Sequence, residues 1–419
     1  MIKFLHFADV HLGVENYGRY DAKTGFHSRL NDFIQSLSTI VDVAIEEKID
    51  FALFCGDAYK SNNPSPTHQR EFARHVYRLS KANIPLVLIN GNHDNPLTYG
   101  RASALDIFQT LQIPNTHVVT EPELINLQTA KGIVRIVGIP WPTRNQYLEK
   151  DEYRDSDIKS INRKIQNRVM KTITDKVGHL DNGYPKILAA HLTVSEALFS
   201  GSENYAMIGR DPVIPTCFFT DTPFDYIALG HIHRYQNLNP DNDPPVVYPG
   251  SIERINFGEE KEDKGFCIAE IDEQGKIDYK FIPLPVRKMI TIEARIGEDL
   301  DPTTVLISEI KKYDTKDAIV RVHYEISQEQ ERKLDFKMVD EELKGAFLVT
   351  GITRNILRKD TVSRSTLSEE MDLFSALDEY IKLNNWQSYE KELKKVAHEL
   401  QQELTDLEKF PGGSQDDTR

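Results

Sequence analysis

The chain has 419 residues and a formal net charge of -14. That is long enough for two or three cores and too acidic to hold a nucleic acid through its overall field, so any polyanion must be gripped locally. Cys55, Cys217 and Cys267 are the only cysteines and form no CxxC pair, which excludes a disulfide framework or zinc knuckle and fits a reducing cytoplasm.

The opening MIKFLHFADVH lacks the basic start and cleavage site of a signal peptide and reads as a first strand, Ile2 to Ala8. No stretch approaches the ~20 apolar residues that span a bilayer. Leu30, Phe33, Ile34, Leu37, Ile40, Val41 and Ala44 repeat at three-and-four spacing and predict a helix. Strand-like Phe51 to Cys55 follows, then the loop SNNPSP, a helix from Thr67 to Lys81 with Thr67 as N-cap, and a strand from Leu86 to Asn90. This strand-helix rhythm predicts parallel strands covered by helices, with ligands just beyond their carboxyl ends.

Between Ile133 and Pro283 short apolar runs take over: IVRIVGIP, KILAAH, DYIALG, VVYPG and FCIAEI, interrupted by a helical stretch from Asp157 to Val177. They read as the second half of a layered sheet sandwich flanked by helices. From Met289 to Ile356 a fresh set of strands and helices predicts a small α+β domain. Beyond Ser368 only helix-favouring, acidic sequence remains, and the Gly-, Ser- and Asp-rich tail from Pro411 reads as disordered. The expected domains are therefore 1-283, 284-365, a helical segment 366-410 and a tail 411-419.

Five segments share one layout, an apolar strand followed at once by metal-ligating side chains: FADVH, LFCGDAY, LINGNHD, LAAHL and IALGHIHR. Each places ligands at a strand's carboxyl edge, so distant segments can converge on one mouth. The residues are Asp9, His11, Asp57, Asn92, His191, His231 and His233. Two divalent ions about 3.5-4 Å apart can clamp a phosphate and activate a water; such a pair needs a bridging carboxylate, naturally Asp57, with imidazoles and oxygens around it. Oxygen and nitrogen ligands without thiolate suit manganese, iron or zinc. Alone, Asp9-x-His11 or Gly56-Asp57 reads as turn chemistry, and an extended His231-Ile232-His233 points both rings to one side.

In this order the motifs resemble the calcineurin-like metallophosphoesterase superfamily. FADVHLG, the PSP loop, GNHD and PGSIERINFGEEKEDKGF are similar, more narrowly, to the SbcD and Mre11 nuclease family. The resemblance implies a four-layer α-β-β-α sandwich with a smaller α+β capping domain and C-terminal helices. It also implies two divalent ions, manganese by preference: one held by Asp9, His11, Asp57 and His233, the other by Asp57, Asn92, His191 and His231. His93 would face the phosphate as a charge stabiliser or general acid, oriented by Asp94. Some members carry a histidine three residues beyond the bridging aspartate; this chain has Lys60 there, a candidate phosphate contact or a solvated loop lysine.

The implied activity is double-strand exonuclease, 3'-5' by family, and single-strand endonuclease on DNA. The implied setting is a homodimer within a heterotetramer, the C-terminal helices docking on an SbcC or Rad50-like ATPase in the cytoplasm. Leu373, Leu377, Tyr380 and Ile381 are the stripe expected of such helices, which packing on the chain itself would also use. The basic cluster Arg354, Arg358, Lys359 and Arg364 reads as a DNA or partner contact or as a solvated face. A phosphoesterase acting on another phosphodiester or phosphoprotein, and an idle adaptor for an ATPase, are the rival readings.

Overall fold

The structure, a computed structural model, describes residues 1–22, 25–96, 100–149, 152, 156–180, 183–201, 211–272, 274–357, 372–383 and 386–408. Two six-stranded sheets form its body. The first runs in the order Ile277–Pro283, Gly265–Ile271, Ile2–Phe7, Phe51–Phe54, Leu86–Ile89, Thr116–Val119, and its last four strands are parallel. The second runs Gln236–Asn237, Val246–Tyr248, Tyr226–Gly230, Lys186–His191, Gly132–Ile139, Glu123–Thr129, parallel at its centre.

One sequence expectation is corrected here. FCIAEI belongs to the first sheet, paired antiparallel with the opening strand, Ile2 opposite Ile271. An apolar run states that a strand is buried on both faces but not which sheet it joins.

The strands alternate between two cores with the period of two expected of a pleated chain. Phe4, Phe51, Leu53, Val87 and Ile89 point between the sheets, against Ile136, Ile187, Ala189, Tyr226 and Ala228. Leu5, Phe7, Ala52, Phe54, Leu86 and Leu88 face outward onto helices Ser28–Glu46 and Pro66–Lys81. On the far side Val137, Ile139, Leu188, Ala190, Ile227 and Leu229 pack with Ile161, Ile165, Val169 and Ile173 of helix Ile158–Val177. The result is a four-layer α-β-β-α sandwich. Its second helix starts one residue before Thr67, because Ser65 is the cap and accepts from the His68 amide while Pro66 takes the first turn, where a missing N–H costs nothing.

The chain divides into two compact units. One comprises Met1–Ala294, Thr303–Tyr324 and Asp335–Thr353; the other comprises Arg295–Pro302, Glu325–Leu334 and the described residues of Arg354–Arg419. Within the first, Met289 and Ile319 pack on Phe257, Arg287 makes a two-pronged ion pair with Asp32, and Glu260 accepts from the Thr291 amide at 2.9 Å. Within the second, helices Leu373–Leu383 and Glu390–Glu408 are tied by Lys394 and Asp378 at 2.6 Å. Of the expected stripe there, Leu373 and Tyr380 are exposed, whereas Ile381 is buried and Leu377 half-buried. The expected tail, 411-419, lies outside the described residues.

Candidate metal centre

All seven expected side chains gather where the carboxyl ends of five strands meet. The loops that carry them are bent into the left-handed region, at φ 53° for Asp9, 47° for His11, 62° for Asp57 and 106° for His231. Non-glycine residues reach that region at a cost, which packing around a functional site sustains. The loops hold each other through the main chain: the Asp9 amide donates to the Gly56 carbonyl at 3.0 Å and the His11 amide to the Asp57 carbonyl at 3.0 Å. The glycines of the GD and GNHD motifs answer to close approach. A Cβ on Gly56 would stand 2.2 Å from the His191 ring, and one on Gly91 2.1 Å from Asp57 Oδ1.

Two places in the centre gather ligand atoms around an imidazole nitrogen that carries no proton. His233 Nδ1 lies 3.0 Å from Glu259 Oε1 and donates to it, which leaves its Nε2 without a proton, and that atom lies 3.0 Å from His11 Nε2. His191 Nδ1 donates to the Cys55 carbonyl at 2.7 Å, leaving an unprotonated Nε2 that lies 2.8 Å from Asn92 Oδ1. His231 Nδ1 lies 3.1 Å from the same Asn92 oxygen. Asp57 addresses both places, with Oδ2 3.7 Å from His11 Nε2 and Oδ1 3.6 Å from His191 Nε2. Neutral imidazole nitrogens, an amide oxygen and a carboxylate gathered in a buried site are a donor set for cations, so the residues present fit two divalent ions sharing one carboxylate.

The electrostatics agree. Burial, then the neighbouring Asp94 and Asp9 carboxylates, pushes the Asp57 carboxyl well above the usual range. Burial holds His11 and His191 well below an ordinary imidazole, with His233 and His231 respectively adding to the effect. His11 and His191 are therefore neutral, as metal ligands must be, while the carboxylates crowd one another.

Among the described residues, ligand atoms lie within 4.8 Å of one another in three groups: Asp9, His11 and His233; Asp9, Asp57 and His191; and His11, Asp57 and His93. The third brings in His93, whose Nε2 is 4.0 Å from Asp57 Oδ2 and whose side chain is 40% exposed. Its orientation corrects the expected role of Asp94. His93 Nδ1 donates to the main-chain carbonyl of Lys60 at 2.7 Å. The buried Asp94 carboxylate instead collects the amides of Asp57, Ala58 and Gly91 at 2.9 to 3.0 Å and so staples two ligand loops together.

Lys60 thus contributes its carbonyl, while its side chain is exposed. Arg354 is paired with Glu331; Arg358, Lys359 and Arg364 lie outside the described residues. The GHIH segment is not extended, since His231 has φ 106° and its amide reaches both oxygens of Asp9 at 3.1 Å. Ser251 braces the same segment, its amide donating to the His233 carbonyl at 3.0 Å.

Sequence reasoning missed four supports. Glu259 is fully buried, holds the His233 ring and pairs at 2.9 Å with the equally buried Lys264, which also donates to the His233 carbonyl at 2.9 Å. The signal was two charges inside FGEEKEDKGF, a string noted above only for its family resemblance. The Cys55 carbonyl and the Trp141 ring, 4.7 Å from His231, left no sequence signal.

Residues 2–235 match the model of the calcineurin-like phosphoesterase family. A Staphylococcus saprophyticus subsp. saprophyticus protein named as a subunit of the nuclease SbcCD is 28% identical over 296 residues, 70% of this chain and 72% of that one. Its namesake from Staphylococcus epidermidis is 26% identical over the same shares. A solved dimetal phosphatase from Danio rerio is similar at TM-score 0.41 and 10% identity, over 67% of this chain and 96% of that one.

Proposed function

We propose that this chain, which belongs to the calcineurin-like phosphoesterase family, is the metal-dependent nuclease subunit of a DNA-end-processing complex. The observation that carries the phosphodiesterase part is Asp57, whose two oxygens each face one of the two lone-pair clusters. In this reading Asp9, His11, Asp57 and His233 hold one ion, and Asp57, Asn92, His191 and His231 hold the other. Bound there, divalent ions supply Lewis-acid activation of water and of the phosphate; manganese is the metal we assign. The DNA part is supported by the two relatives named as nuclease subunits, which align over a longer stretch than residues 2–235.

His93 carries the protein's own chemistry. Its Nδ1 proton is committed to the Lys60 carbonyl, so any proton it delivers leaves from Nε2, the atom on the Asp57 side. Burial lowers its pKa, and the negative charge of a bound phosphate opposes that shift and favours the imidazolium. In that form Nε2–H stabilises charge on the phosphate or protonates the leaving 3'-oxygen. Asp94 keeps the loops of Asp57 and His93 in register, and His93 is tied in directly by its amide, 2.9 Å from Asp57 Oδ1.

The full proposal is 3'-5' exonuclease action on duplex DNA and endonuclease action on single strands. The chain works as a homodimer in the cytoplasm, docked through helices Leu373–Leu383 and Glu390–Glu408 on an SbcC or Rad50-like ATPase, with 284-365 capping the DNA. Among the described residues no helix is long and apolar enough to cross a membrane. The test is manganese-dependent cleavage of linear duplex DNA by the purified chain, with and without that ATPase and ATP, against His93→Ala. Hydrolysis of small phosphodiesters with DNA intact under every condition would replace this reading by a phosphoesterase of another substrate.

A further inference from the structure

His191 and His233 each have a partner for the ring nitrogen that faces away from the centre: the Cys55 carbonyl at 2.7 Å and Glu259 at 3.0 Å. His231 is mounted the other way round. Its Nδ1 is the atom near Asn92 Oδ1, and its Nε2, buried, has no hydrogen-bond partner among the described residues. Asp211 Oδ2 stands 3.6 Å from that nitrogen, and it too is buried without a hydrogen-bond partner among the described residues. Two orphaned polar atoms, one a potential donor and the other an acceptor, face each other.

We propose that Asp211 is a positioning residue for His231. Its carboxylate takes the hydrogen bond from Nε2–H, and the imidazole is thereby held in the tautomer whose Nδ1 lone pair faces Asn92 and His191. This rests on the two-ion reading above and assigns a residue to the second ion's surroundings. The rest of the ring's freedom is already spent. Trp141 lies against one face at 4.7 Å with planes 33° apart, His191 packs edge-on at 5.1 Å, and the backbone is pinned by Asp9. These contacts orient the plane of the ring but are indifferent to which nitrogen bears the proton. Two acceptors compete for that proton, the neutral Asn92 oxygen at Nδ1 and the charged Asp211 carboxylate at Nε2, and the charged acceptor is the stronger one.

Asp211 is not itself a ligand in this arrangement, because it meets the ring at Nε2 and the Asn92 cluster meets it at Nδ1. The 3.6 Å gap exceeds a hydrogen bond by about half an ångström, a separation that a small rotation of the carboxylate closes and across which its charge already favours a proton on Nε2. His231 then matches His233, whose ring is backed by Glu259: each histidine of the GHIH motif has its own carboxylate, one arriving from each side in sequence. GRDP carries no metal-ligand spacing, so only the fold brings Asp211 here.

The experiment uses the full-length chain as wild type and as Asp211→Ala, Asp211→Asn and Asp211→Glu. Manganese binding is measured by calorimetry, and the His231 tautomer by imidazole ¹⁵N shifts in ion-free protein. Expected are two ions in the wild type and a loss of about 10–100-fold in affinity at one of them in Asp211→Ala. Asp211→Asn, which keeps an acceptor oxygen, and Asp211→Glu should recover most of it, with ion-free melting unchanged throughout. The ¹⁵N shifts should report the Nε2–H form in the wild type and a mixture of tautomers in Asp211→Ala.

An unchanged tautomer in Asp211→Ala overturns the assignment. So does equal weakening of both ions, or a loss in Asp211→Asn as large as in Asp211→Ala, either of which would mark a charge effect alone. Fewer than two ions in the wild type would sink the two-ion reading instead, while the tautomer decides Asp211 independently.

Discussion

The first sheet places Asp9, His11 and Asp57 through the main chain, in left-handed loops whose amides and carbonyls bond to one another. The second sheet places His191 and His233 through a ring nitrogen turned away from the centre, bonded to the Cys55 carbonyl and to Glu259. The first arrangement is collective: loops 9–12, 56–58 and 91–94 stand or fall together, because Asp94 links the last two and Asp57 links the first two. The second is modular, one partner per imidazole. Damage in the first half should therefore reach both ions, and damage in the second half only one.

The largest effect expected on turnover is that of His93→Ala. It should lower phosphodiester cleavage by about 10²–10⁴-fold while calorimetry still counts two ions, since the loops around it are held by backbone contacts. Loss of an ion in this variant would make His93 a ligand and breach the comparison.

Asp94→Ala comes next and tests the collective half directly. It strips the acceptor from the buried amides of Asp57, Ala58 and Gly91, each orphaned donor costing about 1–3 kcal/mol. Urea unfolding should show a loss of several kcal/mol, and both ions should weaken together. Weakening of one alone would contradict the shared staple.

Glu259→Gln probes the modular half. Affinity for the ion near His233 should fall about 10–100-fold with the other ion unaffected, resolved as two separate manganese isotherms. A uniform loss would show that the halves are not independent.

The pH response sharpens the same contrast. His11 and His191 are held neutral by burial and remain ready as ligands in mild acid, so carboxylates set the acid limit. Burial raises Asp94 to about 6 and holds Asp57 well above the usual carboxylate range. A carboxyl whose folded pKa is raised favours the folded state below its unfolded pKa, and that contribution is lost as pH rises through the folded value. Manganese should therefore raise the melting temperature more at pH 7.5 than at pH 5.5; equal shifts would contradict this. The smallest effect is reserved for Lys60→Ala, where the carbonyl survives: cleavage should change by less than about twofold, as for other exposed side chains.

The candidate ligands could be read from the sequence because a parallel strand buried on both faces is an unbroken apolar run, and a site at the sheet's carboxyl edge must follow it at once. FADVH, GNHD and GHIH each state locally what they contribute. The nature of Asp94 was hidden for the opposite reason. Its neighbour in sequence is His93, but two of its three amide partners are 36 and 37 residues away, and adjacency in GNHD pointed to the wrong group.

By itself, then, the sequence determined the layer type and which strand-end side chains are candidate ligands, Asp57 among them, all properties of short segments obeying local rules. Tertiary structure decided which sheet Gly265–Ile271 joins, that His93 leans on the Lys60 carbonyl, and that Glu259 with Lys264 stands behind His233. It also decided that Asp211 stands behind His231. These depend on register and packing between segments far apart in the chain, and a hydrogen-bond acceptor of the right kind can be supplied by any carbonyl or carboxylate that the fold delivers.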